Sequence, residues 1–204
     1  MTYLIVATQN NGKIREIKKI MQPLSVLSLN DLNYSGEIEE TGNSFLENAA
    51  IKARLIQRLF NKQYPESFFL ADDSGLEIEA LEGRPGIYSA RYAGKNATQN
   101  DLINKVLTEM KDMPFEKRNA RFVCAMVLYG PGEITFKTEG YCEGKISFEP
   151  RGKNGFGYDP IFLPKEYNYE KSMAEISEEE KNKISHRKKA LDNIKLILKQ
   201  IGII

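Results

Sequence analysis

The 204-residue chain predicts an α/β fold built on a mixed β-sheet flanked by helices. Three observations carry that expectation. Apolar runs of strand length, at Tyr3-Leu4-Ile5-Val6-Ala7 and Phe68-Phe69-Leu70, alternate with segments of helical period early in the chain. Two later strand-like runs, Ala120 to Tyr129 and Glu133 to Tyr141, are separated by Gly130-Pro131-Gly132, a hairpin signal. Finally, the chain closes on another helix-period segment. Alternation that gives way to a hairpin fits a mixed sheet, the hairpin contributing to a second lobe.

Each element has its own local reason. After the first strand, the polar loop Thr8 to Lys13 leads into a helix from about Lys13 to Met21, with Ile14, Ile17 and Ile20 or Met21 on one face and Pro23 as the stop. Val26 to Leu29 reads as a second strand, and Asn30 to Asn43 as an acidic loop. Ser44-Phe45-Leu46-Glu47 has the form of a capping box, opening a helix whose Phe45, Ala49, Ala53, Ile56 and Phe60 share a face as far as about Lys62. Residues 68–72 form a buried central strand, followed by Ser74-Gly75 as a turn. Leu76 to Leu81 alternates, as a half-buried strand or a short helix does. Gly83-Arg84-Pro85-Gly86 is turn-like, and Thr98 caps a helix reaching about Lys111. Ser177 to Glu180 forms another capping box, and Leu191, Ile194, Leu198 and Ile201 mark the buried face of the last helix.

Composition narrows the function classes. Twenty-nine basic residues stand against 28 acidic ones, so the chain lacks the basic excess of a dominant nucleic-acid footprint. No apolar run is long enough for a membrane span, and the N-terminus has no signal-peptide pattern. The expectation is a cytoplasmic protein with no membrane and no nucleic-acid partner. Cys124 and Cys142 read as small buried residues of a reducing compartment. No internal repeat or low-complexity linker divides the chain, so residues 1–204 suit one large domain or two closely packed lobes.

Six groups of residues can carry chemistry, against ordinary structural explanations such as turns, caps and solvated charges. Ala71-Asp72-Asp73-Ser74-Gly75 delivers two carboxylates at a strand end, where Mg²⁺ or turn capping accounts for them. Glu37, Glu39 and Glu40 precede Thr41-Gly42, a solvated acidic loop unless it converges with Asp72 and Asp73 on a metal. Thr8 to Lys13 offers helix N-terminal amides and an ammonium to a phosphate, although it lacks the glycine spacing of a Walker loop. Gly155-Phe156-Gly157-Tyr158-Asp159 places a ring between glycines, suited to stacking on a base or simply to a turn. Ser185-His186-Arg187 offers donors to carbonyl oxygens, with Lys181 upstream for a phosphate. Arg84 and Arg91 are phosphate contacts or plain surface charges. Together these are the parts of a nucleoside triphosphate site.

The same motifs, in order, resemble the Ham1-like inosine triphosphate pyrophosphatase family nearly end to end. They run from Ile5-Val6-Ala7-Thr8 with Asn10 and Lys13, through Glu39-Glu40-Thr41-Gly42, Phe45, Glu47-Asn48-Ala49 and Lys52-Ala53. Ala71 to Leu76, Gly83 to Tyr92, Gly155 to Phe162 and Ser185-His186-Arg187 complete the set. The resemblance implies an elongated two-lobed fold with an active-site cleft between the lobes, usually a homodimer. It implies Mg²⁺-dependent hydrolysis of inosine, deoxyinosine and xanthosine triphosphates to the monophosphate and pyrophosphate, which clears deaminated purines from the nucleotide pool. By position, Asp73 is the proton acceptor and a metal contact, and Glu39 is the second metal contact. Thr8, Gln9, Asn10, Asn11, Gly12, Lys13, Lys52, Ser74, Phe156, Gly157, Tyr158, Asp159, Lys181, His186 and Arg187 contact the substrate. His186 and Arg187 are expected to favour a 6-keto purine. Gln9 stands where relatives commonly carry glycine, and a positive φ there would strain it. Competing readings are a pyrophosphatase for other modified or pyrimidine nucleotides, and a nucleotide-sensing module that binds without turnover. An RNA-binding module is disfavoured by the near-neutral charge.

Overall fold

The computed structural model describes all 204 residues and contains one six-stranded sheet. The strands are β1 (Tyr3–Val6), β2 (Ser25–Ser28), β3 (Phe68–Ile78), β4 (Asn119–Tyr129), β5 (Thr135–Ile146) and β6 (Phe162–Pro164). They lie in the order β2-β1-β3-β4-β5-β6. β1 runs parallel to both β2 and β3, while β5 and β6 are antiparallel, so the sheet is mixed as expected. The helices are α1 (Asn11–Ile20), α2 (Phe45–Phe60), α3 (Gln99–Glu109), α4 (Glu178–Ile184) and α5 (His186–Gln200). No helix is long and apolar enough to cross a membrane.

Chain contacts divide the molecule into two compact units. The first comprises Met1–Asp73, Cys124–Glu139 and Arg187–Ile204, and the second Ser74–Val123 and Gly140–His186. In the first unit, residue parity along the strands sorts the core. Leu4, Val6, Phe68, Leu70, Cys124, Met126 and Leu128 pack with Ile17 of α1 and Leu191, Ile194 and Leu198 of α5. Ile5, Phe69, Ala71, Val127 and Tyr129 pack instead with Ala49, Ala53 and Ile56 of α2. Successive strand side chains point to opposite faces, so one apolar run feeds two cores. Each buried Leu, Ile or Phe contributes about 1.5–3 kcal/mol, which is why both faces hold their helices.

The second unit has one core. Leu102, Ile103, Val106 and Met110 of α3 and the loop that follows it meet Leu76, Ile78, Phe122, Cys142, Ile146 and Phe162. Arg118 is sealed inside this unit at 1% exposure. Its guanidinium donates to the carbonyls of Ile146 (2.7 Å), Met110 (2.7 Å), Met113 (3.3 Å) and Ser147 (2.8 Å). Its plane also lies 4.5 Å from the Phe148 ring centre.

The structure corrects four local expectations. Ser74 and Gly75 are not a turn: β3 continues through them to Ile78, and only Glu79–Leu81 coils into a 3-10 turn. Ser44 caps α2 through the Glu47 amide (3.1 Å), yet the Glu47 carboxylate accepts from Asn43 N (2.7 Å) and does not close a box on Ser44. Ile201 lies beyond the end of α5 and is 39% exposed, outside the buried stripe. Gln9 does not take positive φ; its side-chain amide donates to the Tyr34 carbonyl at 3.0 Å, and the loop tolerates it. Thr98 with Asp101 and Ser177 with Glu180 do form complete capping boxes.

Candidate active site

The two adjacent aspartates of β3 do not share one ligand field. Parity sends Asp72 to the α1–α5 face and Asp73 to the α2 face. Asp72 is buried, and Lys13 Nζ donates to its Oδ2 at 2.7 Å. Arg187 Nε stands 3.7 Å from the same oxygen, and Arg187 also donates to Glu16 Oε2 at 3.0 Å. Burial raises the Asp72 pKa, but Lys13, Arg187 and Lys52 together outweigh it and hold the carboxyl well below its usual range. Arg187 follows the mirrored balance: burial lowers its pKa, and Asp72 and Glu16 raise it further than burial lowers it.

On the other face, α2 supplies the partners. Asn48 Nδ2 donates to Asp73 Oδ2 at 3.0 Å, and Lys52 Nζ approaches Asp73 Oδ1 at 3.5 Å and donates to Glu40 Oε1 at 2.7 Å. Asn48 and Lys52 are one helical turn apart, which places both donors on the same stripe. Burial, then the nearby Glu40 and Asp72 charges, push the Asp73 pKa up against the pull of Lys52 and Asn48. Burial disfavours the Lys52 charge, but Asp73, Asp72 and Glu40 outweigh it and raise its pKa, so the ammonium stays protonated. A buried carboxylate beside a lysine, with its basicity raised, is suited to taking a proton from water.

The loop before α1 is set by capping. Asn10 Oδ1 accepts from Gly12 N (2.9 Å) and Lys13 N (3.1 Å), and Thr8 Oγ1 accepts from Asn10 N (3.2 Å). Gln9, Asn10 and Asn11 are exposed, so the helix start opens to solvent beside Lys13. Its positive dipole end favours an anion there. Glu39 is exposed, whereas its neighbour Glu40 is the one that reaches Lys52. No three His, Cys, Asp or Glu side chains gather to cage a metal by themselves.

A separate group stands in the second unit. Gly155 and Gly157 take positive φ (77° and 60°), which turns the chain tightly around Phe156. Asp159 is buried, accepts from Phe156 N at 2.7 Å and pairs with Lys181 Nζ at 2.5 Å. Lys181 Nζ stands 4.5 Å from the Phe156 ring centre, and that ring is 49% exposed. A half-exposed ring with a cation against it is chemically suited to stacking. Tyr158 is buried and donates from its hydroxyl to the Ser89 carbonyl (2.8 Å), so its side chain shapes the turn from within. Ser89 Oγ in turn accepts from Leu76 N (2.9 Å) and donates to Gly86 O (2.6 Å). His186, buried at 7% exposure, stacks on Phe122 with ring centres 5.0 Å apart. Ser74 is half-buried in β3.

The predicted residues therefore gather in two groups. Lys13, Arg187, Lys52 and Asp73 stand in the first unit; Phe156, Gly157, Tyr158, Asp159, Lys181 and His186 stand in the second. Consecutive His186 and Arg187 fall in different units: His186 stacks on Phe122, and Arg187 faces Asp72 and Glu16, alongside Lys13. Sequence reading passed over Asn48, Glu16 and Ser89 as site residues. The spacing Asn48–Lys52 and Lys13–Glu16 on amphipathic helices was the available signal.

A mixed α/β sheet with a capped, solvent-open helix start and a buried acid beside a lysine is suited to enzyme chemistry on an anionic substrate. The Ham1 family model matches residues 4–197, and the chain belongs to the Ham1 family. It is 48% identical over 200 residues to the dITP/XTP pyrophosphatase of Bacillus subtilis, covering 97% of this chain and 98% of that one. A dITP/XTP pyrophosphatase of Oceanobacillus iheyensis is 49% identical over 197 residues, with coverage of 95% and 96%. Among solved structures, the Ham1 protein of Staphylococcus aureus superposes with a TM-score of 0.87 at 37% identity, covering 99% of this chain and all of that one. A HAM1 protein from Coxiella burnetii gives 0.85 at 40% identity, covering 98% and 100%.

Proposed function

We propose that this protein hydrolyses dITP, XTP and ITP to the nucleoside monophosphate and pyrophosphate, removing deaminated purines from the nucleotide pool of the cytoplasm. The similarity of nearly the whole chain to relatives named dITP/XTP pyrophosphatase carries this reading. The geometry supports the following roles. Asp73, basic for a carboxylate and aligned by Asn48 and Lys52, accepts the proton of the attacking water. Lys13, Lys52 and the open helix start Thr8–Lys13 meet the phosphate chain, with Ser74 beside Asp73 on the strand. Arg187 holds Asp72 in place and reinforces the positive charge around Lys13.

The exposed ring of Phe156 stacks on the base, with Gly157 permitting close backbone approach. Tyr158 and Asp159 fix that turn, Lys181 serves a phosphate, and His186 and Arg187 offer donors to the 6-keto oxygen. An adenine, with a donor at that position, leaves those groups unpaired and is rejected.

A divalent cation fits the donor set. Mg²⁺ is ordinarily held by one or two carboxylates together with substrate phosphates, without a protein-only cage. Asp73 sits in a neighbourhood crowded with acids, since Glu40 and Asp72 both raise its pKa. Asp73 and Glu39 would hold the ion with the triphosphate, Glu40 being engaged by Lys52. When bound, Mg²⁺ supplies neutralising charge for the phosphate oxygens and the leaving pyrophosphate. We further propose a homodimer, for which sedimentation at micromolar concentration is the measurement.

Incubation with dITP and Mg²⁺, with separate detection of pyrophosphate and orthophosphate, tests the reaction. Equimolar dIMP and pyrophosphate are expected. Stepwise release of orthophosphate would refute the bond assignment, and binding without product would favour a sensor.

A further inference from the structure

Asn48 is fully buried, and both ends of its amide are occupied. Its Oδ1 accepts from Gly42 N at 2.8 Å, and its Nδ2 donates to Asp73 Oδ2 at 3.0 Å. The backbone N–H of Gly42 can only donate, so the oxygen of the amide must face it and the nitrogen must face Asp73. Gly42 permits this closeness because it has no side chain. A Cβ there would lie 2.8 Å from Asn48 Oδ1 and 2.7 Å from the Glu47 Cβ. Neighbouring contacts strengthen the same junction. Glu47 Oε2 accepts from Asn43 N, and Ser44 Oγ accepts from Glu47 N. The start of α2, through Asn48, thus holds both the acidic loop and Asp73.

We infer that Asn48 is a positioning residue of the reaction, setting the Asp73 carboxylate and the loop that carries Glu39 and Glu40 in one fixed relation. Two features point beyond a merely structural part. The amide bridges two separate segments, 6 residues before it and 25 after it, and both of them carry proposed site acids. It also holds Oδ2 at 3.0 Å while Lys52 Nζ donates to Oδ1 at 3.5 Å, so both oxygens of the base are oriented from α2. Without the amide the carboxylate can rotate, and the reacting oxygen is no longer fixed.

The inference rests on Asp73 as the base, and its test separates the two. Asn48→Asp retains an oxygen for the Gly42 amide but sets oxygen against oxygen at Asp73. The variant is expected to lower kcat for dITP by about 10–100-fold, the usual cost of losing an orienting partner. KM should stay within about threefold, since ground-state binding is kept. A folded variant with parental kcat overturns the inference; a purely structural Asn48 would lower Tm and spare kcat. Asp73→Asn is assayed alongside. If Asp73→Asn turns over normally, the assignment of the base fails. If it is inactive while Asn48→Asp is parental, only the positioning role fails. Amide exchange in the unmodified, metal-free protein gives a readout that no variant's folding can obscure. The Gly42 amide should be protected with the amides of α2, and exchange at the rate of an open loop would overturn the latch.

Discussion

Asp72→Asn removes a charge that the fold has enclosed. The side chain of Asp72 is 2% exposed, and the substitution leaves Lys13 and Arg187 facing a neutral amide. Breaking a buried pair by removing one partner costs about 3–5 kcal/mol, because the remaining charge stays desolvated. Glu16 still neutralises Arg187 at 3.0 Å, and Lys13 is 20% exposed, so the lower end, about 3 kcal/mol, is expected. For a domain of this length each kcal/mol moves Tm by about 2–4 °C, which gives a fall of about 6–12 °C at pH 7. Circular dichroism melts measure it. Acid supplies a second check. The folded pKa of Asp72 lies below its ordinary 3.8, so its contribution is present above that pH and is lost as the pH falls below it. The gap between parent and variant should therefore narrow steadily below about pH 4. A variant melting within about 2 °C of the parent at pH 7 would refute the account, as would a gap unaffected by acid.

Two further outcomes follow from the second unit. Arg118→Lys keeps the charge but replaces a planar fork by a point donor that cannot span four carbonyls, so urea unfolding should show a loss of about 1–3 kcal/mol per orphaned carbonyl. An unchanged midpoint would mean the carbonyls find other donors. His186→Phe preserves the stack on Phe122 while deleting the ring nitrogens, and should narrow the preference for dITP over dATP by about tenfold. An unaltered ratio in side-by-side kcat/KM measurements would place base selectivity elsewhere.

Much of this was legible from local chemistry. The first strand and helix, the caps at Thr98 and Ser177, and the Gly130–Gly132 hairpin loop all use signals that need no distant partner. Ser74-Gly75 misled because both residues favour turns. β3 nevertheless runs extended through them to Ile78, beyond the reach of β1, and tertiary context overrides that preference. Ile201 misled because periodicity continues in sequence after the helix has ended at Gln200. Asn48 was hidden for a different reason: its position on α2 is readable, but its partner is 25 residues away on β3. The division between Asp72 and Asp73 was in principle countable, since odd and even positions of one strand never share a side.

That division makes the reading frame of β3 a functional quantity. Deleting a single residue between Phe68 and Leu70 would keep both acids in the chain and exchange their addresses, sending the proton acceptor to the arginine and the anchor to the lysine of α2. Length in this short stretch is therefore constrained as tightly as residue identity. Insertions that most surface segments absorb would here silence the protein without removing a single chemical group.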